Sequence, residues 1–64
     1  MWRILKDGSA HNPDTFERLI LRRGFVIYSL IRGQELVAFF KSKKEAKQYI
    51  AEQVAYLRAN EELK

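Results

Sequence analysis

Apolar positions are densest in residues 25–40, FVIYSLIRGQELVAFF, and the polar break inside that stretch falls at Arg32-Gly33-Gln34-Glu35. Two apolar arms around a short polar divider predict a β-hairpin. The arms hold β-branched and aromatic residues (Phe25, Val26, Ile27, Tyr28 and Ile31, then Val37, Phe39 and Phe40), which suit a pleated surface. Gly33 fits the first central position of a two-residue type II′ turn. Alternation puts Phe25, Ile27, Ser29 and Ile31 on one face of the first arm, and Val26, Tyr28, Leu30 and Arg32 on the other. Both faces are mostly apolar, whereas a half-exposed antiparallel strand has one polar face. Each face therefore needs a cover, or one of them is a contact surface.

The pattern changes period after Lys41. Ala46, Tyr49, Ile50, Val54 and Leu57 recur at helical spacing, with Lys47, Gln48, Glu52 and Arg58 off the stripe. Ser42-Lys43-Lys44-Glu45 is a capping box, so a helix is predicted over about 43–60. Glu61 and Glu62 oppose the helix dipole, and fraying is expected beyond Asn60. At the other end, about 2–6 alternates as a short strand, and 7–12 (DGSAHN) reads as a polar loop.

Residues 12–24 admit two readings. Asn12 as N-cap, Pro13 at the first helical position, Arg22 and Arg23 in the last turn and Gly24 just beyond it predict a helix over 13–23. Alternatively, 16–21 is a strand joined to the hairpin through Arg22-Arg23-Gly24. The preferred architecture is α+β in the order β-α-β-β-α, with strands at about 2–6, 25–32 and 35–41 and helices at 13–23 and 43–60. The alternative is β-β-β-β-α, whose single helix leaves one sheet face bare.

Length allows one small domain, 1–64, of marginal stability. There is no cysteine, hence no disulfide or thiolate metal site. An apolar content of 47% argues against disorder. No apolar run is long enough to span a bilayer, and the first residues lack the apolar core of a signal peptide. A cytoplasmic protein without a membrane partner is expected. The net charge of +4 is ordinary for a soluble domain, but it is uneven. Residues 1–47 hold ten Lys/Arg against five Asp/Glu, and residues 48–64 hold two against three.

Catalytic chemistry finds little support. His11 reads as a solvated loop residue. Asp7, Ser9, His11 and Asp14 include the side-chain types of a hydrolytic triad, but one flexible loop supplies neither an orienting group nor an oxyanion hole. Asp7-x-Ser9-x-His11 fails as a calcium loop because Asn12 and Arg18 stand where glycine and glutamate are required. No nucleotide-binding or metal-ligand motif occurs, so no cofactor, metal or small-molecule substrate is expected, and the chain reads as a non-enzyme.

Two binding functions compete. The first is a regulatory or accessory protein that binds another protein or itself through an apolar sheet face or edge strand. Its candidate residues are Phe25, Ile27, Tyr28, Leu30 and Ile31. Size alone suggests an inhibitor from a phage or mobile element. The second is a basic module that contacts nucleic-acid phosphates at one end of the sheet and the start of the last helix. Its candidates are Arg22, Arg23, Lys41, Lys43, Lys44 and Lys47. The doubly apolar strand favours the first.

Overall fold

In a computed structural model, which describes residues 1–62, five strands precede one helix. The strands are β1 (Arg3–Ile4), β2 (Ala10–Asn12), β3 (Glu17–Arg22), β4 (Phe25–Leu30) and β5 (Gly33–Phe39), followed by α1 (Lys43–Glu62). Every strand pairs antiparallel with its neighbour in sequence, giving a meander in the order β1-β2-β3-β4-β5. The expected α+β class is found. Its order differs: the predicted helix at 13–23 is absent, and 17–22 is a strand, as in the alternative reading. An additional strand, β2, lies in the segment read as a loop.

The punctuation at 12–14 belongs to a turn. Asn12 Oδ1 accepts the amide of Asp14 at 3.0 Å, as an N-cap residue would. The Phe16 amide then bonds back to the Asn12 carbonyl at 2.8 Å. Phe16 takes a left-handed φ of 63° and the chain reverses into β3. At the far end of β3, Arg22 pairs with Phe25 across a two-residue loop in which Arg23 and Gly24 have φ of 43° and 87°. Positive φ at both central residues defines a type I′ hairpin turn.

The second hairpin turn also differs from expectation. Leu30 pairs with Gly33, so Ile31 and Arg32 form the loop and Gly33 is the first residue of β5. The arms span 25–30 and 33–39 instead of 25–32 and 35–41, and β1 covers only Arg3–Ile4 of the expected 2–6. Val26 pairs with Ala38 and Ile27 with Leu36, leaving Val37 as the extra residue of a β-bulge.

One face of the sheet is covered. Trp2, Ala10, Leu19 and Val26 bury against Ala46, Ile50 and Val54 of α1, with Leu21, Tyr28, Phe40, Tyr49 and Leu57 packed around them. The stripe read from the sequence is the buried stripe. At about 1.5 Å per residue the helix is roughly 30 Å long. Its main contacts are with β4, β3 and β1. Two bonds fasten its far end: Arg58 Nε donates to the Trp2 carbonyl at 2.9 Å, and Asn12 Nδ2 donates to Glu61 at 3.1 Å. The helix runs past Asn60 to Glu62. No helix among the described residues is long and apolar enough to cross a membrane.

Ser42 caps α1, its Oγ accepting the Glu45 amide at 3.2 Å. The Glu45 carboxylate reaches back to the Lys41 amide at 3.3 Å. Ser42→Ala is expected to lower stability by about 1 kcal/mol, read as a lower urea midpoint at unchanged slope. An unchanged midpoint would show that the cap contributes nothing.

Candidate functional site

The uncovered face is built from three rungs of side chains. Paired residues directly opposite each other in an antiparallel sheet project to the same side. The register therefore aligns Arg3, His11, Arg18, Ser29 and Gln34 across all five strands. The next rung is Ile20, Ile27 and Leu36, and the one beyond is Arg22, Phe25 and Phe39. Alternation sends Leu19, Leu21, Val26 and Tyr28 to the helix side. The face thus has an apolar middle rung with arginines in the rungs on either side.

Charge is partitioned between the two faces. The strand arginines Arg3, Arg18 and Arg22 all lie on the bare face. The strand carboxylates Glu17 and Glu35 lie on the other, paired with Asn12 and Tyr28. Strands set about 4.8 Å apart place Arg3 and Arg18 roughly 10 Å from each other. His11, between them, is half-buried within β2 and not a loop residue as expected.

A hollow of about 350 Å³ opens on this face, lined by His11, Arg18, Ile20 and Arg22, with Leu5 and Ser9 on the β1–β2 side. Among the described residues, Asp7 is the one carboxylate on its wall. That carboxylate accepts the Ser9 amide at 2.8 Å, a bond that holds its pKa below the ordinary value, helped by the positive charge of Lys43. Ser9 Oγ in turn accepts the Leu21 amide at 3.0 Å. Asp14 pairs with the amino group of Met1, which lowers its pKa. These polar side chains hold turns and strand ends in place.

The apolar candidates divide between surfaces. Phe25 and Ile27 lie on the bare face. Tyr28 packs against the core on the helix side. Leu30 is also on that side but lies 49% exposed, and Ile31 at the hairpin tip is 77% exposed. The five candidates thus occupy the bare face, the core margin and the exposed hairpin end. Phe39 is 75% exposed, its ring centroid 6.0 Å from that of Phe25 at a tilt of 54°.

The six basic candidates wrap around one end of the sheet. The Phe40 amide donates to the Gly24 carbonyl at 2.6 Å, bringing Lys41 beside the Arg23-Gly24 turn. Lys43 and Lys44 open α1. The Lys47 stem lies over Gly8, where an added Cβ would come within 2.6 Å of its Cγ. Arg22 projects to the bare face instead, apart from the helix lysines. Arg3 and Arg18 were outside the expected cluster. The period-2 alternation of 17–22, with Arg18, Ile20 and Arg22 in phase, was the signal that could have placed Arg18 with Arg22.

No known protein-family model, curated protein or solved structure matches this chain.

Proposed function

We propose that the protein is a non-catalytic, cytoplasmic nucleic-acid-binding module that works through the bare face of its sheet. The observation that carries this reading is the partition of charge. Arg3, Arg18 and Arg22 share a face on which no strand carboxylate stands, and the strand acids occupy the opposite side. Such a face attracts a polyanion and repels a copy of itself laid directly upon it. Arginine forks suit phosphate oxygens. The helix-start lysines extend the same positive field around the sheet end.

The test is fluorescence anisotropy with labelled mixed-sequence oligonucleotides, single-stranded and duplex, over a series of salt concentrations. Binding should weaken steeply as salt rises. Replacing Arg3, Arg18 and Arg22 together by Gln should weaken it at least tenfold at fixed salt. The same variant should flatten the log–log salt slope by about 2–3, at roughly 0.7–0.9 per phosphate contact. All three side chains are exposed, so the variant should keep the wild-type circular dichroism. A wild-type protein that binds neither oligonucleotide at low salt would sink the reading.

A second reading, binding to another protein or to a second copy in a regulatory role, has a separate observation in its favour. The β4–β5 hairpin exposes Leu30, Ile31, Leu36 and Val37, and β5 is an edge strand of the sheet. An unpaired edge can accept another strand. A native mass of two chains in the absence of nucleic acid would favour it.

A further inference from the structure

We infer that the nucleic acid taken by this face is single-stranded, with a base stacked on Phe39 and its phosphates running toward the arginines. The inference rests on the nucleic-acid reading above and narrows it.

The middle rung of the face decides against a duplex. Ile20, Ile27 and Leu36 offer neither donors nor acceptors, and they occupy the centre of the surface. Groove edges of a duplex are read by side chains that hydrogen-bond to them. Laid against an apolar strip, those edges would lose water and gain no partner. Among the paired residues of β4 and β5 on the bare face, side-chain amide and hydroxyl groups are confined to Ser29 and Gln34, in the rung farthest from the phenylalanines.

A single strand meets the same surface on better terms. Its unstacked bases carry apolar π-faces that settle on aromatic side chains. Phe39 supplies such a face in the open. Phe25 stands across the strand pair with its ring tilted against it, a prop that limits where the Phe39 ring can turn. Both share a rung with Arg22, which lies two strands from Phe39 and so about 10 Å away. A phosphate flanking the stacked base falls within reach of that guanidinium. The hollow between Arg22, Arg18 and His11 then lies in the path of the next phosphate or sugar, with Arg3 at the far end of the His11 rung. Asp7 on the wall of the hollow has its carboxylate bonded to the Ser9 amide.

The experiment compares one mixed-sequence 15-nucleotide probe, single-stranded and as a duplex, by anisotropy at a single salt concentration, on the wild-type chain, Phe39→Ala and Phe39→Leu. The single strand should bind at least tenfold more tightly than the duplex. Phe39→Ala should weaken single-strand binding by about 5- to 150-fold, the range found for one base stacked on one aromatic ring, with duplex affinity unchanged. Phe39→Leu keeps apolar bulk on the strand and removes the π-face, so it should show most of the same loss. Duplex binding as tight as single-strand binding overturns the inference and leaves the sheet-face reading standing. A loss shared equally by duplex and single strand on removing Phe39 also overturns it. Failure to bind either probe overturns both.

Discussion

Ile50→Ala is expected to remove about 2–5 kcal/mol of stability, the range for truncating a fully buried branched side chain in a packed core. At roughly 0.05–0.15 kcal/mol per residue, a domain of this size holds about 3–10 kcal/mol in all. The variant should therefore be partly unfolded at room temperature, or close to it. Ile50 is fully buried at the centre of the helix stripe, between Ala46 and Val54, in the cluster that also contains Leu19 and Val26. With helix on one face only, no second layer of core shares the load. Urea denaturation followed by helix ellipticity measures the effect. Tyr56→Ala, on the same helix but 64% exposed, should stay within about 0.5 kcal/mol of wild type. If Ile50→Ala cost no more than Tyr56→Ala, the helix would not be seated as described.

The second large effect separates two glycines. Gly24→Ala should cost about 2–3 kcal/mol, combining the left-handed conformation, roughly 1–2 kcal/mol for an L-residue, with crowding. Its φ is 87°, and a Cβ there would sit 2.9 Å from the Phe40 carbonyl oxygen, a backbone atom that cannot swing aside. The adjacent position should respond with opposite sign. Arg23 already holds a φ of 43° with a side chain, so Arg23→Gly should be neutral or stabilising by up to about 1 kcal/mol. Gly33 has open space where its Cβ would be and no positive φ. Gly33→Ala should therefore leave stability unchanged or raise it by about 0.5–1 kcal/mol. Urea midpoints for the three variants test the turn assignment together. A costly Gly33→Ala beside a tolerated Gly24→Ala would restore the turn expected at Gly33.

Those glycines also mark how far the sequence could be read. The α+β class, the long helix and its buried stripe were legible because Ala46, Tyr49, Ile50, Val54 and Leu57 repeat a period that only a helix satisfies, behind an explicit Ser42 cap. The segment 13–23 was not, for a definite reason. A glycine after a helix and a glycine in a type I′ turn both supply left-handed backbone. An asparagine two residues before an aspartate offers the same side-chain bond in an N-cap and in a local turn. The end signals are shared by both structures, and only the alternation between them, Leu19 and Leu21 inward against Arg18, Ile20 and Arg22 outward, is specific to a strand. β2 carried no signal of its own. Ala10, His11 and Asn12 have little strand preference and are strand because β1 and β3 flank them.

The candidate site was less legible than the fold. The expected hairpin pairing brought Arg22-Arg23 and 41–47 to one corner, whereas Arg3, Arg18 and Arg22 meet on one face only through a β1-β2-β3 register that was not expected. The doubly apolar first arm did flag a real imbalance: one of its faces has a helix over it, and the other carries Phe25 and Ile27 with no covering element among the described residues.

The order of strands in the sheet equals their order in the chain, and that equality bears on how the molecule is assembled. Each pairing closes a short loop, so little chain entropy stands between one strand and the next, and relative contact order stays low for a sheet protein. The β3-β4-β5 meander can form from its own turns. The costly closure is the one that joins β1 to the far end of the helix, through Arg58 and the Trp2 carbonyl, 56 residues apart. Trp2 is buried at that closure, so its fluorescence is the probe expected to follow the docking of the N-terminal strand against the helix.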